Sequence, residues 1–357
     1  VGITGSIAKT STKEAIATVL GAVMPTLKNE GNLNNEIGLP LTVLRLRSSH
    51  RAAVLEMGMY VGGEIRDLAA IGRPEIGVVT AVQAVHLSRI GTIEAVEQAK
   101  GELVEALPGD GVAVLNADDE RVRRMASRTR ARAMTYGFSG DADVRAERVA
   151  SRGVDGMAFD LVITAGRRDA AIPGLGRLAV HNALAAAAVG VAVGLPLDTI
   201  ADALAGGWSA PHRGQLIQAG GVTIVDDSYN ASPGSVIAAL ELLGGLPGRK
   251  IAVLGEMLEL GDDHDAGHRR VGEAAGTIAD HVVVVGGGAN GIAAGIGTAG
   301  QTASSFDAVP DRDAARERLL QMLQPGDVVL VKASRGIELD RLVDELVAAL
   351  DGPGTLA

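Results

Sequence analysis

The stretch Val1–Glu14, VGITGSIAKTSTKE, decides the fold. An apolar run that reads as a strand leads into a loop of mostly small residues, Gly5–Ala8, and then into Lys9, Thr10 and Ser11 at the start of a helical pattern. Backbone amides at a helix N-terminus attract phosphate, and a lysine there adds a point charge on the outer phosphates. Thr10 or Ser11 supplies a hydroxyl suited to Mg2+. Strand, loop, lysine and hydroxyl pair occur in order. That favours a nucleotide site over an ordinary capped turn, with Gly5, Ser6, Ala8, Lys9, Thr10 and Ser11 as its candidate residues. Ala8 stands where such loops place glycine. If φ is positive there, alanine costs about 1–2 kcal/mol, and its methyl group pushes phosphate outward.

The strand-then-helix grammar continues along the chain. AAVLEMG, EIGVVTAV and GVAVLNA are β-rich runs ending in small or polar residues, and GTIEAVEQAKGELVEAL has helical spacing. This alternation predicts an α/β fold with a mostly parallel sheet covered by helices. Asp141–Arg177 reads instead as an antiparallel excursion, and the alanine-rich run before Leu197 as a buried helix. Gly206–Gln215, rich in Gly, Pro and Ser, reads as a linker. A second βα series follows it. The expected division is 1–207, a phosphate-loop ATPase domain, and 208–357, a Rossmann-like domain.

The 357 residues suit two domains, and 47% apolar residues support real cores. A net charge of −10 argues against a broad grip on nucleic acid. There are no cysteines, so neither disulfides nor thiol catalysis enters, and no apolar run is long enough to span a bilayer. A cytoplasmic location is the expectation. Only six of the 33 basic residues are lysine, so each lysine merits inspection.

Glu56 ends a strand, where a carboxylate can hold Mg2+ or simply face solvent. His86 follows another strand end, and a lone histidine there reads first as structural. Helical spacing puts Lys100 inside the apolar stripe of Ile93, Val96, Leu103, Val104 and Leu107. Periodicity alone reads it as a lysine snorkelling past that stripe; the alternative is carbamylation by CO2. Two further patterns are weak. Gly286, Gly288 and Gly291 form a dinucleotide-type glycine spacing, but the segment after them is poor in strand formers until Asp307. His264, Asp265 and His268 imitate a zinc pair at an acidic helix start, with a glycine between the histidines.

Taken together, TGSIAKTSTKE, GNLNNEIGLPLTVLRL, AVLEMGMYVGGEI, AVHLSRIGTIEAVEQAKGELV, HNAL, DDSYNASP, GEMLELGD and VLVKASRG resemble, in order, the Mur ligase family. GNLNNEIGLPLT and DDSYNASP are most similar to the member that joins D-alanyl-D-alanine to a UDP-linked muramoyl tripeptide. A folylpolyglutamate-synthase-like ligase shares the mechanism but fits GNLNNEIGLP less well. The resemblance implies an ATP-dependent ligase that activates a peptide carboxylate as an acyl phosphate. It assigns Lys9 and Thr10 to the phosphate loop, Thr10, Glu56 and His86 to magnesium, and Lys100 to a carbamylated lysine. It places Asn182 beside adenine and Arg213 and Asp227 at ATP. Asn34, Asn35, Asn230, Lys332 and Ser334 fall on substrate-side motifs. Its substrates are small molecules, and a monomer is expected.

Departures from the family pattern surround the nucleotide: Ala8 for glycine, Ala81 for asparagine, Gln83 for glycine and Ala185 for a second asparagine. The chain also opens on the first strand of the ATPase domain, without the family's UDP-sugar domain. The expectations are therefore weak ATP binding and inefficient ligation by this chain alone. A weakened relative that binds nucleotide or a partner is the alternative to a working enzyme.

Overall fold

Val78 and Val79 are neighbours in sequence, yet they sit in different hydrophobic cores. Val112 and Val114 join the first core, and Ala113 and Leu115 the second. Side chains of a strand alternate faces, so a sheet buried on both sides needs apolar residues at every position. That explains why these runs are continuous in the sequence.

The structure is a computed structural model and describes residues 1–83, 87–298 and 305–352. It divides into two units, Val1–Ser209 and Ala210–Ala357. In the first, strands β1 (Gly2–Thr4), β2 (Thr26–Lys28), β3 (Ala52–Glu56), β4 (Ile76–Val79), β5 (Val112–Asn116), β6 (Arg132–Gly137), β7 (Val144–Ser151), β8 (Met157–Ile163) and β9 (Gly166–Ile172) form one sheet. Its order is β2-β3-β1-β4-β5-β6-β7-β8-β9. Pairing is parallel from β2 to β7 and antiparallel from β7 to β9. Helices α1 (Lys9–Gly21), α2 (Gly38–Val43), α3 (Glu64–Gly72), α4 (Leu87–Ile90), α5 (Ile93–Glu105), α6 (Glu120–Arg124), α7 (Gly176–Ala192) and α8 (Leu197–Ala205) connect the strands.

α1, α7 and α8 cover one face of the sheet, and α3 and α5 the other. The run from Ala185 to Ala188 is fully buried in α7, which packs on α1. Small side chains there let two helices and a sheet approach closely.

The second unit holds β10 (Gln215–Ala219), β11 (Val222–Asp226), β12 (Lys250–Gly255), β13 (His281–Val285), β14 (Ser305–Val309) and β15 (Val328–Lys332). The order is β10-β11-β15-β12-β13-β14, parallel except for the β10-β11 hairpin. Helices α9 (Pro233–Gly244), α10 (His264–Ile278), α11 (Asn290–Thr298), α12 (Arg312–Met322) and α13 (Leu339–Leu350) pack on its two faces. β15 comes last in the chain but lies between β11 and β12. Strand order therefore switches there, the place where open α/β sheets form a crevice.

Candidate active site

The loop after β1 is shaped by what glycine lacks. Gly5 has φ 152°, and a Cβ there would collide with the Thr80 hydroxyl. Thr80 donates to the Ile7 carbonyl at 2.6 Å, and the Ser6 amide donates to the Ala81 carbonyl at 2.8 Å. Ser6 Oγ accepts from the Gln83 amide at 2.8 Å. The loop is thus stitched to the segment after β4. Ala8 caps α1 with φ 65° and ψ 1°, the left-handed conformation that the missing glycine would adopt without strain. Lys9 Nζ donates to the Gly5 carbonyl at 2.8 Å and so folds back over the loop.

Two residues on α1 reach outward. Thr10 donates to Glu56 Oε2 at 2.8 Å, and Thr12 donates to Asn182 Oδ1 at 3.0 Å. Glu56 is only 1% exposed, so the solvent-facing alternative for this strand end is wrong. Asn34 donates to its other oxygen at 2.7 Å. Asn35 instead accepts from the amides of Ile37 and Gly38, holding the start of α2.

Lys100 is 2% exposed, which corrects the snorkelling reading. Its neighbours on α5 at the same face, Val96, Leu103 and Val104, are buried with it. Burial, and then the charge of Lys9, push its pKa well below the ordinary lysine value. His86 lies outside the described residues, so of the magnesium candidates the structure brings Thr10 and Glu56 together. Among the described residues, no group of three or more His, Asp or Glu side chains is gathered as a metal site.

A cleft of 510 Å³ opens beside the loop, a size typical of small-molecule sites. Ala8, Ala81, Gln83, Asn116, Asp118, His181 and Asn182 are among its lining residues. Ala185 is not: it is fully buried in the core. It lies three residues after Asn182 on α7, about 4.5 Å along the helix axis. The asparagine absent at this position therefore alters the core rather than the cleft wall.

Asn116 and Asp118 escaped the sequence reading, although the strand end GVAVLNADD carried the signal. Asp118 accepts from His181 at 3.1 Å and from the amides of Phe138 and Ser139. Burial pushes its carboxyl up, but these hydrogen bonds and the nearby imidazole outweigh that and leave it below the usual range.

At the carboxyl ends of β11 and β15, Lys332 is 3% exposed. It donates to Asp227 Oδ2 at 2.6 Å and to the carbonyls of Asp227 and Asn230 at 3.3 and 2.9 Å. Ser334 Oγ accepts from the Leu258 amide at 2.9 Å. Arg213 stacks on the Tyr229 ring at 4.0 Å, and Arg335 donates to the Tyr229 hydroxyl. The zinc-like pattern has another use. His268 is fully buried, its Nε2 accepting from the Met257 amide and its Nδ1 bonded to the His264 carbonyl. In the glycine-rich turn, a Cβ on Gly288 would strike the Glu256 carboxylate. The turn leads into helix α11, and β14, which begins two residues before Asp307, pairs in parallel with β13.

Residues 3–190 match the family description "Mur ligase middle domain", and residues 212–335 match "Mur ligase, glutamate ligase domain". The chain belongs to the Mur ligase family. Among Mur ligases of known name, it is 38% identical to the UDP-N-acetylmuramoyl-tripeptide--D-alanyl-D-alanine ligase of Escherichia coli K12, over 99% of this chain and 77% of that one. Against the enzyme of the same name from Mycobacterium bovis the identity is 39%, over 98% and 72%. The crystal structure of MurF from Acinetobacter baumannii superposes with a TM-score of 0.89 at 30% identity, covering 97% of this chain and 76% of that one. The MurF ligase of Thermotoga maritima, solved in complex with ADP, gives 0.88 at 28% identity, covering 98% and 79%. No described helix is long and apolar enough to cross a membrane.

Proposed function

We propose that this chain is an ATP-dependent amide-bond ligase of peptidoglycan precursor synthesis, joining D-alanyl-D-alanine to a UDP-N-acetylmuramoyl-tripeptide. The observation that carries the reading is the buried Thr10–Glu56 pair at the mouth of a phosphate loop, in a Mur ligase whose relatives bear that activity's name along nearly its whole length.

The residues present fit the groups the reaction needs. The Gly5 cradle has no room for a side chain, and the first amides of α1 are free of side-chain caps. Together with Lys9, they suit the phosphates of ATP. Thr10 and Glu56 offer a hydroxyl and a carboxylate, the oxygen donors a hard cation prefers. Mg2+ held there neutralises charge on the transferring phosphoryl group. Asn182 and the cleft beside it take the nucleoside. The tripeptide carboxylate attacks the γ-phosphorus of ATP, and ADP leaves. The amine of D-alanyl-D-alanine then attacks the acyl carbon, phosphate departs and the amine loses a proton. In the second unit, Arg213 and Asp227 are assigned to ATP, and Asn230, Lys332 and Ser334 to the substrate side.

Lys100 belongs to this reading as a carbamate. Its neutral amine attacks CO2 and releases a proton, which turns the buried amine into an anion that feels the charge of Lys9 and offers oxygens to the metal.

The left-handed Ala8, with Ala81 and Gln83 on the cleft wall, supports a second reading: a relative that binds nucleotide but ligates poorly. Incubation with MgATP, the UDP-linked tripeptide and D-alanyl-D-alanine separates the two. A pentapeptide product by mass spectrometry, dependent on all three, is expected from the first reading. Calorimetric MgATP binding without product would favour the second. Absence of MgATP binding would overturn both.

A further inference from the structure

Lys13 is fully buried, yet neither the phosphate loop nor the cleft lining includes it. A buried ammonium persists only when its donors are satisfied. Lys13 Nζ donates to the Asn29 carbonyl at 2.7 Å and to the Gly31 carbonyl at 3.2 Å, and it pairs with Glu14 at 3.1 Å. Two of these three partners are backbone carbonyls of the irregular segment that follows β2.

That segment holds Glu56. Asn29 Oδ1 accepts from the Glu56 amide at 2.9 Å, and Asn29 Nδ2 donates to the Glu56 carbonyl at 3.2 Å and to the Leu33 carbonyl at 2.8 Å. One residue on, Asn34 Nδ2 donates to the Glu56 carboxylate. The carboxylate's other oxygen accepts from Thr10, three residues before Lys13 on the same helix. The connections form a ring: α1 through Lys13 to the 29–34 segment, through Asn29 and Asn34 to Glu56, and through Thr10 back to α1.

We propose that Lys13 is a positioning residue for the phosphoryl-transfer step: by pinning the carbonyls of Asn29 and Gly31, it fixes the segment that orients the Glu56 carboxylate toward Thr10. The inference rests on the reading of Thr10 and Glu56 as the cation site. A carboxylate whose supporting segment moves by an ångström no longer presents its oxygen correctly, and partners that orient a metal ligand commonly matter 10–100-fold in metal affinity. Loss of Lys13 should therefore weaken the cation, not the nucleotide itself.

The test uses Lys13→Met, which keeps the apolar stem and removes the three donors. Manganese affinity in the presence of ADP is read by electron paramagnetic resonance, and binding of a fluorescent ADP is measured in EDTA. The expected result is at least a tenfold rise in half-saturating Mn2+, with metal-free ADP binding unchanged within about threefold. Unchanged Mn2+ affinity, or an equal loss in both measurements, overturns the proposal. Asn34→Ala, at a half-buried position, should reproduce the metal defect; if Lys13→Met does not fold by circular dichroism, Asn34→Ala decides by the same criteria. Wild-type protein that shows no coupling between Mn2+ and ADP would instead bring down the cation-site reading, and this inference with it.

Discussion

Thr10 and Glu56, 46 residues apart in the chain, meet in a buried hydrogen bond of 2.8 Å at the start of α1. The hydroxyl lies in the first turn of α1, and the carboxylate ends β3. The parallel register that sets Ile3 beside Glu56 brings them together.

The pair yields a first expectation. Glu56→Gln keeps the shape and an acceptor for Thr10 but removes the charge. Ligation should fall by about 10²–10³-fold, the usual loss when one electrostatic group is removed from a phosphoryl- or acyl-transfer site. The melting temperature should move little. Single-turnover ADP formation checks this, and a Glu56→Gln protein within threefold of wild type would remove Glu56 from the chemistry.

Ala8 offers a second. Its φ of 65° is a conformation in which alanine is strained by about 1–2 kcal/mol and glycine is not. Ala8→Gly should raise the urea midpoint, by an amount equivalent to about 1 kcal/mol once glycine's greater unfolded entropy is subtracted. It should also tighten MgATP binding, because a methyl group leaves the cleft wall. A lower midpoint would mean that Ala8 relaxes out of the left-handed region in solution.

Lys100 gives a third, with a definite sign. Burial lowers its folded pKa well below the ordinary 10.5. Between the two values the unfolded chain binds the proton more tightly, so stability rises with pH across that window. At neutral pH the buried site is a liability. Lys100→Met in CO2-free buffer should therefore be more stable than wild type near pH 7, by about 1–4 kcal/mol. The advantage should shrink as pH approaches 10.5. Labelled bicarbonate should add a carbamate carbon-13 signal to wild type and not to the variant. A pH-independent difference, or no carbamate, would contradict the assignment.

The sequence by itself determined the α/β class, the phosphate loop at Val1–Glu14 and the helix that carries Lys100. These follow from periodicity and from the order of a few adjacent residues, and local backbone preferences act over that same range. It also exposed Ala8 as a departure, but not its φ. Only the tertiary structure decided that φ, because the strain is maintained by the stitching of Ser6 and Ile7 to residues 80–83. Burial of Lys100 was likewise undecidable from spacing, since a stripe says which face is apolar and not whether a long side chain can escape it. Asn34 on Glu56 and Thr12 on Asn182 join positions 22 and 170 residues apart. No local pattern encodes such pairs; sheet register and helix packing bring them within hydrogen-bond reach.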